Sequence, residues 1–150
     1  MLVGLISDTH GLLRPEVLAA FAGADLILHA GDVGNLAILQ SLNAIAPTRA
    51  VYGNVDSRNE SLAATIGLEL ESVRIHVSHG HETGSPTPAA LAARYNADVI
   101  VFGHTHRALI QQVGPTLVIN PGAAGPARFR LQPSVALLTL PAREARIVHL

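Results

Sequence analysis

Apolar residues along this chain fall into short runs, each closed by glycine, proline or a polar cluster. Leu2 to Ser7 reads as a buried strand, followed by the turn Asp8-Thr9-His10-Gly11. Pro15 suits the first turn of a helix whose apolar face is Val17, Leu18 and Phe21, ending by Gly23. Asp25 to Ala30 is a second strand that stops at Gly31-Asp32, and Asn35 is placed to cap a helix carrying Leu36, Leu39 and Leu42. That helix must end before Pro47, and Thr48 to Tyr52 makes a third strand, closed by Gly53-Asn54.

The second half has a different rhythm. Ile66 to Leu70 and Val73 to Ser78 predict an antiparallel pair, the latter ending at His79-Gly80-His81. Thr87 and Pro88 start an alanine-rich helix that ends near Tyr95. A strand over 98–102 follows, ending at Gly103-His104-Thr105-His106. Leu109 to Val113 and Leu117 to Asn120 turn at Gly114-Pro115, a Gly/Pro loop covers 120–126, and Ser134 to Leu140 closes with Arg143 to Leu150 as a hairpin turned near Pro141. Strand–helix–strand–helix–strand predicts a parallel sheet with crossover helices. About ten strands exceed what one sheet easily holds, so the expected architecture is α/β (α+β), with two packed sheets and helices outside. At 150 residues the expectation is a single domain over 1–150.

Composition narrows the function. Apolar residues are 49% and charged residues 14%, a folded rather than disordered balance. Mean hydropathy is positive, but Asp25, His29 and Asp32 interrupt the longest apolar candidate, below the roughly 18–20 residues of a membrane span. The start lacks a basic region and meets Asp8 at once, so it does not read as a secretion signal, and a cytoplasmic protein is expected. There is no cysteine, which removes disulfides, thiolate nucleophiles and cysteine zinc sites. All ten basic residues are arginine, which removes Schiff-base and P-loop lysine chemistry. A net charge of −1 without a basic run argues against strong nucleic-acid binding.

Five predicted strands end alike, in Asp8-Thr9-His10, Gly31-Asp32, Gly53-Asn54, His79-Gly80-His81 and Gly103-His104-Thr105-His106. In open α/β sheets ligands bind beyond the carboxyl ends of strands. Convergence of these ends gathers Asp8, His10, Asp32, Asn54, His79, His104 and His106, a mixed oxygen and nitrogen set. Such a set suits Mn²⁺, Fe²⁺, Zn²⁺ or Ni²⁺ and suits Ca²⁺ poorly. Seven donors exceed one tetrahedral ion and suit two divalent ions about 3.5–4 Å apart with a shared carboxylate. Two divalent cations against two aspartates leave positive charge to be balanced by a hydroxide and an anionic phosphodiester.

In this order the motifs Asp8-x-His10, Gly31-Asp32, Gly53-Asn54, His79 and Gly103-His104-x-His106 resemble the signature of the calcineurin-like metallophosphoesterases. The short chain and the form Gly53-Asn54-Val55-Asp56 resemble the compact bacterial and archaeal phosphodiesterases among them. The resemblance implies a four-layer αββα sandwich with a dinuclear centre, often manganese-loaded. It implies that Asp8, His10 and His106 hold one metal, that Asn54, His79 and His104 hold the other, and that Asp32 bridges them. A metal-bound hydroxide would then attack phosphorus in line. Larger members carry a histidine after the motif asparagine, proposed to protonate the leaving group, where this chain has Val55. Asp56, His81 or water is left for that task, and the catalytic set read here is Asp32, Asn54 and His81.

Blander readings stand beside these. Asp8 and Asn54 are also ordinary turn residues. His81 fits a supporting hydrogen bond as well as substrate contact, and His29 fits a satisfied core or supporting imidazole. His76 and His149 read as ordinary strand residues, and Arg107, Arg128 and Arg130 as solvated surface, with one of them able to reach the pocket mouth. The expected partner is a small phosphoester, most simply a diester, with no membrane; a homo-oligomer stays open. A phosphomonoesterase is the alternative enzyme, and a non-catalytic interaction scaffold, as in a retromer subunit resembling this fold, is the alternative class.

Overall fold

A computed structural model describes residues 1–56 and 61–150. The chain begins β1 (Leu2–Ile6), α1 (Glu16–Ala20), β2 (Leu26–His29), α2 (Ala37–Asn43) and β3 (Thr48–Ala50). It continues β4 (Thr65–Leu70), β5 (Val73–Ser78), α3 (Pro88–Arg94) and β6 (Val99–Val101). It closes with β7 (Leu109–Val113), β8 (Thr116–Asn120), β9 (Ser134–Thr139) and β10 (Glu144–His149). One short 3₁₀ turn, His81–Thr83, follows β5.

The strands form two mixed sheets, ordered β10-β9-β1-β2-β3 and β4-β5-β6-β8-β7. In the first, β1, β2 and β3 run parallel, with β9 and β10 antiparallel at the edge. In the second, β5, β6 and β8 run parallel, with β4 and β7 antiparallel at the two edges. The expected α/β architecture is therefore observed.

Side-chain alternation along the strands builds the layers. Val3, Leu5 and Leu28 of the first sheet face Ile75, Val77, Val99, Val101 and Ile119 of the second, forming the core between the sheets. Ile6 and Ile27 point the other way, onto Val17 and Phe21 near α1 and Ile38 and Leu42 of α2. On the far side, Ile100 and Val118 meet Leu91 of α3. Three apolar interfaces separate four layers, αββα.

Element ends follow local chemistry. The Thr87 hydroxyl accepts the Ala90 N–H at 3.2 Å, the expected cap of α3. Asn35 Oδ1 accepts the Ala37 N–H at 3.0 Å at the start of α2. The first helix is shorter than its apolar pattern suggested. It stops at Phe21 (φ −99°), whose ring lies under Gly4 at 2.9 Å from where a Cβ would stand. The ring, not a longer helix, fills that side of the sheet.

Truncating this plug leaves a cavity that neighbouring elements close only partly. Phe21→Ala is expected to cost about 3–5 kcal/mol of folding stability, read from urea unfolding. A cost near zero would show that the Phe21 ring is not packed as described.

Candidate metal centre

The loops after β1, β2, β5 and β6 prolong the parallel pairing past the strands. Asp8 N–H donates to Gly31 O at 3.0 Å, His10 N–H to Asp32 O at 3.0 Å, and Gly11 N–H to Val33 O at 2.9 Å. In the second sheet, Gly103 N–H donates to His79 O at 3.0 Å. The strand ends are thereby locked in register, and their polar side chains meet where the two sheets share an edge.

All seven expected ligands come together there. Asp8 Oδ1 lies 3.2 Å from His106 Nε2, 3.7 Å from His10 Nε2 and 3.9 Å from His79 Nε2. Asp32 Oδ2 lies 3.3 Å from His79 Nε2 and 3.6 Å from His10 Nε2. Asn54 Oδ1 lies 3.1 Å from both His79 Nε2 and His104 Nδ1. Asp8, His10 and His106 each offer one ligand atom within 4.8 Å of the others, as do Asp8, Asp32 and His79. His104 and His106 diverge, the first toward Asn54 and the second toward His10 and Asp8.

The donor atoms suit a cation. Asp8 Oδ1 is buried and accepts no hydrogen bond among the described residues. Its other oxygen is occupied by the Ser7 hydroxyl at 2.6 Å and the His104 N–H at 3.1 Å. His10 Nε2 and His106 Nε2 face each other at 3.4 Å, so two imidazole nitrogens border one small volume. The His79 Nδ1–H donates to Ala30 O at 2.8 Å, which fixes the ring with Nε2 turned to Asp32 and Asn54. Asp32 Oδ1 is fixed by the Val55 N–H at 3.0 Å, leaving Oδ2 turned inward. A buried carboxylate oxygen without a partner, ringed by imidazoles, is the donor chemistry a divalent cation satisfies.

Electrostatics reinforce this. Burial alone would raise the Asp8 carboxyl, but the imidazoles of His10 and His106 and the positive field of His79 outweigh it and hold it well below the usual carboxylate range. Asp32 is lowered the same way, burial being overcome by His79 and the Val55 N–H. Burial would lower His79, yet the Asp32 and Asp8 carboxylates raise it.

Five of the seven expected ligands, Asp8, His10, Asp32, His104 and His106, have left-handed backbone, φ between 46° and 69°. That region is disfavoured for residues with a Cβ, and its concentration here marks a strained, functional set of loops. The surrounding packing is close. A Cβ on Gly103 would overlap the Ser7 hydroxyl and stand 2.6 Å from Asp8 Oδ2, and one on Gly53 would overlap the Asp32 carboxylate.

Other expected residues take different places. The His81 ring lies 5.4 Å from the His79 ring and 6.4 Å from that of His104, at the edge of the cluster. Val55 is 54% exposed. Asp56, one of the residues left for proton donation, is a brace instead: it accepts backbone N–H groups from Gly53 at 2.8 Å, Gly34 at 3.0 Å and Val33 at 3.1 Å. His29 is fully buried and fully satisfied, the supporting imidazole expected. Gly31 N–H donates to its Nδ1 at 3.1 Å, and its Nε2–H donates at 3.0 Å to the Thr9 hydroxyl, which donates to Val33 O at 2.8 Å. His29 thus ties the loop of Asp8 to the loop of Asp32. His76 stacks on Tyr95 with ring centroids 3.7 Å apart, away from the cluster. Two braces escaped the sequence reading, Ser7 and Asn120. Asn120 Nδ2 donates to Gly103 O and Thr105 Oγ1, both at 3.0 Å, and so holds the His104–His106 loop from beneath.

The calcineurin-like phosphoesterase superfamily domain matches residues 1–143. The chain belongs to that superfamily. It is 37% identical over 149 residues to the "Probable metallophosphoesterase" of Methanothermobacter thermautotrophicus, covering 93% of this chain and 86% of the relative. Phosphodiesterase YfcE of Escherichia coli is 32% identical, covering 78% of this chain and 76% of its own. Among solved structures, an archaeal phosphodiesterase superposes with a TM-score of 0.84 at 26% identity, covering 100% of both chains. Vps29 from Entamoeba histolytica, complexed with zinc, superposes with a TM-score of 0.84 at 25% identity, covering 98% of this chain and 90% of its own. Members of this superfamily are metal-dependent, which agrees with the candidate ligand groups of this calcineurin-like chain.

Two measurements check the centre. Gly103→Ala is expected to weaken manganese binding at least about tenfold in calorimetry, because the added methyl displaces the Asp8 carboxylate and neighbouring groups relax only partly; unchanged affinity would contradict the packing described. Burial lowers His29 from 6.5 to about 4, so its ring stays neutral in the folded state while the unfolded chain takes up a proton below 6.5. Stability from this site is therefore full above 6.5 and lost as pH falls toward 4. In metal-free protein the advantage of wild type over His29→Gln should shrink by up to roughly 3 kcal/mol across that window. A constant difference between pH 7 and pH 4 would refute a buried neutral His29.

Proposed function

We propose that this chain is a single-domain, cytoplasmic, metal-dependent phosphodiesterase that hydrolyses a small phosphoester at a dinuclear centre. The observation that carries the reading is the Asp8 carboxylate. One oxygen is saturated by Ser7 and His104, and the other is buried, unpartnered and within 4 Å of three imidazoles. Asp8, His10 and His106 would hold one metal, and Asn54, His79 and His104 the other. Asp32 would be shared between the two, a reading supported by an Oδ2 that faces His10 of one group and His79 of the other. Manganese is the expected ion, with iron, nickel or zinc suited to the same donors.

Divalent cations in such a site supply Lewis acidity toward a phosphoryl oxygen and draw a strong nucleophile from water near neutral pH. The chain's own residues orient and polarise. Ser7 and the His104 N–H fix Asp8, Ala30 O fixes the His79 tautomer, and Val55 N–H fixes Asp32. His81, at the edge with a side chain that is 30% exposed, is a candidate to meet the leaving group. With exposed Val55 at the position where larger relatives carry histidine, proton delivery falls to His81 or to water. Turnover then favours good leaving groups such as aryl esters. No helix among the described residues is long and apolar enough to cross a membrane, in keeping with a small dissolved substrate.

The fold shared with Vps29 keeps a second reading in view, a protein-interaction scaffold. A scaffold has no need of seven converging donor residues, five of them on strained backbone, and that geometry favours the enzyme.

Purified protein with manganese should hydrolyse bis-p-nitrophenyl phosphate faster than p-nitrophenyl phosphate, with chelator abolishing the rate. The reverse preference identifies a phosphomonoesterase, and no metal-dependent turnover of either supports the scaffold. Asp32→Ala should remove both ions in elemental analysis, whereas His81→Ala should retain them and lose rate. Metal loss in His81→Ala would make it a ligand rather than a proton donor.

A further inference from the structure

Beside the metal cluster stands a feature that neither the fold nor the ligand set requires. Phe129 is 76% exposed, the most exposed large apolar side chain among the described residues. It sits in the loop between β8 and β9, on a turn closed by Leu131 N–H donating to Arg128 O at 2.9 Å. Phe129 and Arg130 are both left-handed, φ 56° and 58°. Aromatic residues rarely adopt that backbone, and an exposed ring gains no core burial to offset it. The loop begins against the centre itself: Ala124 N–H donates to Ser7 O at 3.0 Å and Gly125 N–H to Asp8 O at 3.2 Å. From that root the Phe129 ring reaches within 6.3 Å of the His106 ring, centroid to centroid, at an interplanar angle of 64°.

His106 also lines a groove of about 450 Å³, within the range of small-ligand sites. Ala108, Leu109 and Leu131 supply its apolar wall, and Arg107 and His149 its polar lining. Ring and groove thus both adjoin one ligand of the centre, where the phosphoryl group of a substrate would lie. An apolar wall, a planar guanidinium and an exposed ring suit a flat aromatic group tethered to an anion. They do not distinguish a bare aryl ester from a nucleobase, whose faces share that chemistry.

We infer that Phe129 and the adjoining groove form the subsite for an aromatic ester substituent of the substrate, with Phe129 as its stacking face. The inference rests on the phosphoesterase reading and adds specificity to it. It also gives a task to Phe129, which the catalytic centre leaves unused.

Calorimetry on the manganese-loaded protein with phenylphosphonate and methylphosphonate, neither of which is hydrolysed, tests the subsite without turnover. Wild type should bind the phenyl compound about tenfold more tightly. Phe129→Ala should bring that ratio to about two or less while leaving methylphosphonate affinity unchanged, and Phe129→Trp should keep the preference. Equal affinity in wild type, or a preference that survives Phe129→Ala, overturns the subsite. Comparing adenosine 5′-monophosphate with ribose 5-phosphate separates the two sources: a Phe129-dependent preference there assigns nucleobases, and one confined to phenylphosphonate assigns aryl esters. A wild type that shows the preference but hydrolyses no phosphoester refutes the hydrolase reading alone. Metal-dependent hydrolysis without the preference refutes the subsite alone.

Discussion

The two sheets meet functionally through one carboxylate. Asp8 leaves β1 of the first sheet, yet its Oδ2 accepts the backbone N–H of His104, which follows β6 of the second. That bond couples the loop of the first motif to the loop of the last, and the Ser7 hydroxyl completes the oxygen's coordination. The remaining oxygen is left facing three imidazoles. Removing a buried, charged acceptor from water without a partner is expensive, and the surrounding histidines offset part of that cost before any cation arrives. Everything else at the centre is arranged relative to this group. Gly103 must lack a side chain to let it in, and Asn120 holds the loop that donates to it.

Backbone pairing extends that order. Parallel ladders normally end where strands end, but here the pairing continues through Asp8, His10 and Gly11 on one side and Gly31, Asp32 and Val33 on the other. His29 and Asp56 tie the same loops with side chains, His29 through Thr9 and Gly31, Asp56 through three backbone N–H groups. Ligand positions are therefore set by bonds that do not involve the ligating atoms. A site of this kind is preorganised and holds its spacing before binding.

Much of this was legible in the chain. Strand ends announce themselves because apolar runs stop abruptly at Gly-Asp, Gly-Asn or His-x-His, and all seven expected ligands converge as their order implied. The layers were legible because alternation on buried strands is strict. The braces were not. Ser7 looks like the last residue of a strand and Asn120 like the first of a loop; the Ser7 hydroxyl turns to the very next side chain, Asp8, and Asn120 reaches back 15 and 17 residues to Thr105 and Gly103. Asp56 beside the motif asparagine suggests acid–base work, but its carboxylate is engaged with three backbone N–H groups and braces the loops around it. Helix α1 is shorter than its apolar stripe implies for a packing reason, since Phe21 continues the stripe after the helix has ended and fills the space over Gly4.

The left-handed backbone at five of the expected ligands carries an evolutionary consequence. Aspartate, asparagine, histidine and glycine tolerate that conformation better than most residues, and β-branched side chains tolerate it worst. Single-codon drift at these positions is therefore channelled: exchanges among the tolerant residues keep the loops intact while changing or deleting a donor, and exchanges to valine or isoleucine damage the loops first. Lineages descending from such a centre can shed catalysis one ligand at a time and still inherit the complete scaffold. Activity and architecture are separable by inheritance in this chain because the turns are specified by their own hydrogen bonds, and any bound metal would be a guest of a geometry already built.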